Sequence, residues 1–476
     1  MIQRVIGIGL VALVACSPTA ARRGNTVVLA SGADLQSMNS LVTTHPLAKQ
    51  VQRYVLLTTL VRYDSALAVV PYLAQRWQWS ADSLRLTMVL HTGVRWHDGR
   101  PTTARDAAWT LEAARDPVVG YPRRSDLGDL ASATAVDDST LDLHFSQRPG
   151  RIPDVLTDLA ILPAHLLAAT PPSQMRSAAW NDRPVGNGPF RFVHHDPNRR
   201  WIFAADPGFP PSLGGRPKLD QLAIAVVDEP TTKLAALATG ELDFAGIQPA
   251  HASFVEKDST LRVLDYPLLF SYLVVFNARR PPFDDLRARR AIDLAIDRLA
   301  IVTGFLYGFG VPASGPLPPE LEGGPAPPLR FAPGRGRALI DSRPLTFELL
   351  TVGSGEAAME QMIQQQLARI GVTVTIRQLE LATFLDRVRV SRDFDAAIMG
   401  VSGDLELGYL RSLFEFAGIS LPAGRRGAAL LPLLADSMPV SFLYHARGVQ
   451  GMQRRMKGVR MDLRGELASV TRWSVE

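Results

Sequence analysis

Val94-Arg95-Trp96-His97-Asp98-Gly99-Arg100-Pro101-Thr102-Thr103-Ala104-Arg105-Asp106 marks a change from one kind of order to another. Upstream of it, Leu84, Leu86, Met88 and Leu90 alternate with Arg85, Thr87 and Val89, the period of a strand with one covered face. Trp96-His97-Asp98-Gly99 reads as a tight turn, because glycine supplies the positive φ that such a turn needs. Thr103 and Asp106 resemble a helix capping box, and Ala107, Ala108, Leu111 and Ala114 follow at helical spacing. The stretch therefore predicts strand, turn and a helix of about three turns.

The same change of period recurs in both directions along the chain. Thr26–Ser31 reads as a buried strand. Thr231 or Thr232 opens a helix with Leu234, Leu237 and Ala238 inward, Gly240 stops it, and Leu242-Asp243-Phe244 resumes as strand. Asp284 and Asp285 can cap a helix in which Ile292, Ala295, Ile296 and Leu299 form one apolar stripe and the arginines face water. From Glu356 on, Met359, Met362, Ile363, Leu367 and Ile370 keep helical spacing up to Gly371, after which Val372, Val374 and Ile376 switch to period two. Helix followed by strand, several times over, predicts a mixed α/β protein with mostly covered sheets. Residues 311–333 are proline-rich without a periodic apolar face, so they predict an ordered surface excursion or a linker.

The chain has 476 residues. Single cores stop growing at roughly 250–300 residues, so two or three lobes are expected. Hydrophobic residues at 46% and charged residues at 20% are those of an ordinary globular protein. The net charge of +5 comes from 51 basic and 46 acidic residues scattered along the whole length, and the absence of a basic stripe argues against nucleic acid as a partner.

The one cysteine, Cys16, leaves none for a disulfide, a thiolate metal site or a cysteine nucleophile. It follows Arg4 and an apolar run over residues 5–15, too short for a bilayer core that needs about 20 residues but suited to a secretory leader. Leu13-Val14-Ala15-Cys16 resembles the bacterial lipobox. That resemblance implies a signal peptide over residues 1–15, lipidation of Cys16, a tether over residues 16–25, and a lipoprotein anchored to a membrane in the periplasm or at the cell surface. The alternative is a plain secretory signal with an incidental cysteine.

Five segments carry a larger resemblance. They are Pro71-Tyr72-Leu73-Ala74-Gln75-Arg76-Trp77, the opening stretch itself, residues 183–190, residues 236–243, and Phe276-Asn277 with residues 282–292. In this order they are similar to motifs of the family 5 extracellular solute-binding proteins of ABC transporters, the oligopeptide-, dipeptide- and nickel-binding type, and the likeness runs from about residue 26 to residue 403. It implies an α/β, bilobal, periplasmic-binding-protein-like fold of class II, cluster C type, with an extra subdomain inserted in the first lobe. Lobe I would comprise residues 26–45, 186–272 and 438–476, the inserted subdomain residues 46–185, and lobe II residues 273–437, shortened near residues 405–435. It further implies a monomer without cofactor or catalysis that captures a peptide or other small solute between its lobes, closes by hinge motion and is read by ABC transporter permease subunits.

Residues 395–404 resemble the family's strand at the cleft edge, and Asp404 matches the aspartate that pairs with a ligand α-ammonium in peptide-binding branches. Gly403, Ser402, Gly400 and Asn277 complete the expected ligand-binding set. Two departures stand out: Val401 replaces a common tryptophan, and the motif and helical stretch that usually follow are missing, residues 407–434 passing quickly to the terminal strands. The cleft should then be more open on one side. No lone arginine is placed as a carboxylate clamp.

His194-His195-Asp196 invites a metal reading, but adjacent histidines on a strand point to opposite faces. His91 and His97 lack a third ligand and read as structural. A secreted hydrolase finds no nucleophile elbow, zinc-protease motif or carboxylate pair to stand on. A sensor or peptide chaperone of the same fold, no longer serving transport, is favoured over the hydrolase by the shortened second lobe.

Overall fold

The opening motif folds as its spacing predicts. In the computed structural model, which describes residues 24–322, 330–341, 344–422, 424–425 and 427–476, Arg85–Leu90 is a strand with Leu86, Met88 and Leu90 buried. Gly99 takes φ +92° and its amide donates to the Trp96 carbonyl at 2.8 Å. Helix α1 (Ala104–Arg115) follows, and the Thr103–Asp106 capping box is formed. Strand and helix belong to a region with its own antiparallel sheet, in the order Ala74–Trp79, Arg85–Leu90, Thr140–Phe145, Leu130–Ala135.

Among the described residues the principal sheet has eleven strands. In chain order they are β1 (Thr26–Ser31), β2 (Phe190–Asp196), β3 (Arg200–Ala205), β4 (Gln221–Val226), β5 (Phe244–Gly246), β6 (Leu261–Phe276), β7 (Gly310–Pro312), β8 (Leu345–Val352), β9 (Val372–Leu379), β10 (Ala396–Ser402) and β11 (Val440–Gln453). Their order across the sheet is β9-β8-β10-β6-β11-β5-β1-β4-β3-β2, with β7 added on β11. Strand β1 runs parallel to β4 and β5, and β8 runs parallel to β9 and β10; β6 and β11 are antiparallel.

Side chains of period two send alternate residues to separate cores. On β1, Val27 and Leu29 join a large cluster with Trp96, Leu111 and Trp201, while Val28 and Ala30 pack with Leu237 and Val255 on the other face. On β6, Val274 and Phe276 face one cluster and Leu273 and Val275 another. The cores divide along β6 and β11: Leu264, Leu268 and Met452 pack with the first large cluster, whereas Leu273 and Val440 onward to Tyr444 pack with the second pair. At the division the pairing of β6 with β11 slips between Pro267 and Ser271, and again between Tyr272 and Leu273. Two lobes thus share one sheet, joined by two long strands whose pairing is irregular where they cross.

Several local expectations need correction. The helix α2 (Pro230–Ala238) is capped by Glu229, whose carboxylate accepts from the amides of Thr231 and Thr232, so neither threonine is the cap. Ala236 is buried in it with Leu237, and Ala238 is exposed. Helix α3 (Leu286–Ala295), capped by Asp285, stops before Asp297 caps a separate helix, Arg298–Gly304. The apolar stripe therefore breaks, and Leu299 is 55% exposed. Arg289 does not face water: it is buried and donates to the carbonyls of Phe283, Ser437 and Met438. Helix α4 (Ala358–Ala368) buries Met359, Ile363 and Leu367 as spaced, and Gly371 takes φ +87° before β9.

Residues 407–434 are not a helix-free passage. Leu410, Leu413, Phe414 and Ala417 bury one face of helix α5 (Leu410–Ala417), Gly418 ends it in the left-handed region, and Leu431–Ser437 is helical again. The proline-rich stretch begins as β7 against β11 and continues to a short helix, Pro319–Glu322. Cys16, the leader and most of the tether lie outside the described residues.

Candidate functional site: the interlobe cleft

A cavity of about 250 Å³ lies where the cores part, walled by the inserted region on one side and by Leu269 and residues 403–405 on the other. Helix Pro46–Val51 continues through Gln52–Leu56 and presents Lys49 and Arg53. Both reach Asp158, Arg53 at 2.7 Å and Lys49 at 3.3 Å, and Arg123 joins them at 3.1 Å. Burial alone would raise the Asp158 carboxyl, but the three cations outweigh it and hold the group well below the usual carboxylate range. Arg123 also pairs with Asp126 at 2.7 Å, so three cations here share two carboxylates. Arg53 Nε is buried without a hydrogen-bond partner among the described residues.

Nearer the mouth, the Tyr63 hydroxyl donates to Asp154, and Asp154 also pairs with Arg151 at 3.3 Å. Arg151 reaches across to Glu406 of the second lobe at 3.0 Å. Arg62, on the two-stranded ribbon Val61–Tyr63 and Val69–Pro71, lays its guanidinium 4.6 Å above the ring of buried Tyr72.

The second lobe meets this wall at the end of β10. The Gly403 amide donates to the Leu269 carbonyl at 2.8 Å, tying the strand end to the crossing strand. Asp404 Oδ1 accepts from the amides of Glu406 and Gly408, both at 2.9 Å, and Oδ2 from Tyr409 at 3.1 Å. The carboxylate is thus fixed in place, and an ionised carboxylate with about four acceptor sites keeps capacity for one more donor.

Residues 68–409 match the family model of bacterial extracellular solute-binding proteins, family 5, middle. The chain belongs to that family. The family is one of solute-binding proteins. A Brucella ovis protein named for ABC transporter peptide binding is 30% identical over 341 residues, 68% of this chain and 63% of its own length, so the match spans less than two thirds of that relative. Di/tripeptide-binding protein 2 of Pseudomonas aeruginosa is 27% identical over 370 residues, 71% of this chain and 68% of its own. The oligopeptide-binding protein AppA of Bacillus subtilis, solved with a nonapeptide, superimposes with a TM-score of 0.76 at 21% identity, covering 95% of this chain and 99% of that one, which establishes the bilobal fold. No helix among the described residues is long and apolar enough to cross a membrane.

Of the residues singled out from the sequence of this family 5 member, Asp404 and Gly403 line the cavity. Ser402 is exposed just before them on β10. At Gly400 a Cβ would come within 2.6 Å of the Phe270 ring, so glycine there admits that ring. Asn277 sits at the far end of β6, buried, with its amide donating to the carbonyls of Arg392 at 3.1 Å and Phe394 at 2.9 Å; it is not brought to the cavity. Arg53, Arg62, Arg123 and Asp158 escaped the sequence reading because they come from separate segments of the inserted region, and no spacing rule links them.

The remaining candidates are structural. His195 stacks on Trp201 with ring centroids 3.7 Å apart and bonds Asp34 at 3.0 Å, while His194 is exposed. His97 bonds the Gly188 carbonyl at 3.0 Å. Gly186 packs so closely on the Leu56 carbonyl that a Cβ would lie 1.9 Å from it, and neighbouring Asn187 accepts from the Thr58 amide at 2.9 Å. Among the described residues no cluster of three or more metal-ligating side chains occurs.

Proposed function

We propose that this chain is the extracytoplasmic receptor of an ABC importer, taking a short peptide into the interlobe cleft and presenting the closed form to permease subunits. The observation that carries the reading is the polar cavity between the lobes, walled by the fixed Asp404 on one side and the cationic inserted region on the other. Its volume, about 250 Å³, lies just below the roughly 300–1,000 Å³ typical of small-molecule pockets, which favours a di- or tripeptide over a long one. The peptide-binding names of its relatives point the same way.

Asp404 takes the ligand ammonium on its remaining acceptor sites, with Gly403 shaping the approach. The lobes divide as residues 26–45, 186–272 and 438–476 against residues 273–437, with residues 46–185 inserted, and β11 crosses between them near His445. A lipid on Cys16 holds the monomer at the membrane surface. Native mass spectrometry of the purified protein tests the reading: copurified di- or tripeptides, lost in Asp404→Ala, are the expected result. Protein that carries no peptide and is not thermally stabilised by a mixed di- and tripeptide library would overturn it.

A further inference from the structure

Away from the interlobe cavity, the second lobe carries an apolar hollow with an unanswered cluster of positive charge at its rim. A cavity of about 420 Å³ is lined by buried Val440 and Phe442 of β11 and by Leu431 and Leu434 of the helix Leu431–Ser437. Beside it lies a second cavity of about 630 Å³, where Phe331, 47% exposed, and Leu339 extend the apolar lining; Asp293, Arg330, Ala435 and Met438 line both. Neither shares a lining residue with the interlobe cavity. Arg290, Arg330 and Arg335 are exposed around the second cavity. Arg290 makes one side-chain hydrogen bond, to the Asp436 carbonyl at 3.3 Å, and none of the three has an ion pair among the described residues. Asp293 is the one acidic side chain among the described residues lining the hollow, and it is already matched: Arg298 and, at 2.7 Å, the Ser441 hydroxyl both donate to its Oδ1, and both ends of the ion pair are buried.

Three cations without a carboxylate favour an anion, and the walls beside them favour hydrocarbon. A ligand that combines the two satisfies both at once. We propose that this hollow is a second binding site, independent of peptide capture, for a free single-chain alkyl carboxylate. The tail lies against Phe442, Met438 and the leucines of the helix Leu431–Ser437, and the carboxylate meets Arg330 and Arg335 at the rim. Guanidinium groups suit that end because they offer a carboxylate two parallel donors. The Asp293–Arg298 pair has no net charge and leaves the rim arginines to set the sign of the ligand.

Isothermal titration of the full chain with octanoate, decanoate and decylammonium, each below its micelle concentration, tests this. Decanoate should bind about tenfold tighter than octanoate, the gain from burying two further methylenes, and decylammonium about tenfold or more weaker than decanoate. The double variant Arg330→Gln, Arg335→Gln should lose about tenfold in decanoate affinity with no change in melting temperature, since both side chains are exposed. Ala435→Trp, which places a ring over the space shared by the two cavities, should abolish binding, and Asp404→Ala in the interlobe cavity should leave it unchanged. Equal affinity for decanoate and decylammonium, full affinity in the double variant or in Ala435→Trp, or loss in Asp404→Ala overturns the site. So does sedimentation with phosphatidylglycerol vesicles in the absence of decanoate binding, which would make the arginines a membrane contact.

Discussion

His445 lies on β11 where the strands cross, buried at 2% exposure. The Ser271 hydroxyl sits 2.8 Å from its Nδ1, a hydrogen bond made inside the core. Burial pushes the imidazole down to about 4. Between that value and the ordinary value near 6.5 the unfolded chain binds a proton that the folded protein refuses, so stability falls as the pH drops through this window. The loss attributable to this one group should reach about 3 kcal/mol by pH 4. Urea unfolding at pH 7 and pH 4.5 should show a shallower loss in His445→Gln than in wild type; identical losses would assign the effect to other groups. At this scale the sequence told little: a histidine in an apolar run looks the same whether it is satisfied or strained, and the stacking of Arg62 on Tyr72 depends on a ribbon that no local pattern specifies.

The helix α1 shows why some elements were legible. Asp106 Oδ2 accepts from the Thr103 amide at 2.8 Å and from Trp96 Nε1 at 3.3 Å, and Oδ1 from the Ala164 amide at 3.0 Å. One carboxylate therefore joins helix, turn and a distant loop, and only its first partner was readable from spacing. Thr103→Ala should cost about 1 kcal/mol, the usual loss of a cap. Asp106→Ala should cost about 3 kcal/mol because it strands several buried donors. Equal losses in denaturant titrations would show that the longer contacts contribute nothing. Elements failed to be read where a tertiary partner outbid the local signal. The charge of Arg289 in α3 predicts exposure to water, yet its hydrogen bonds to the carbonyls of Ser437 and Met438 hold it inside. Glu229 takes the cap of α2 because Pro230 fixes the first turn one residue earlier than the threonines suggest. Residues 407–434 lacked a family motif but not an amphipathic face, and the face decided the fold.

Across the whole molecule, the α/β class and the bilobal fold were legible because ordered motifs fix the strand and helix succession, whereas the cleft itself is made of segments hundreds of residues apart. Arg151 and Glu406 bridge its mouth from opposite lobes, with half-exposed side chains. Such a pair contributes at most about 1 kcal/mol and is screened by salt. Glu406→Gln should therefore shift the ligand-free protein modestly toward open forms, seen as a larger radius of gyration in solution scattering, and 0.5 M salt should do the same to wild type. No change in either would remove this bridge from the closing balance. The position of β11 has a further consequence for how the protein is made. It lies between β6 and β5, in the middle of the sheet, yet it is the last strand of that sheet to leave the ribosome. Until it arrives, each half of the sheet ends in an unpaired edge, and Trp473 is missing from its place against Phe244. Neither lobe can finish early. The sheet can close only when synthesis of the chain is nearly complete.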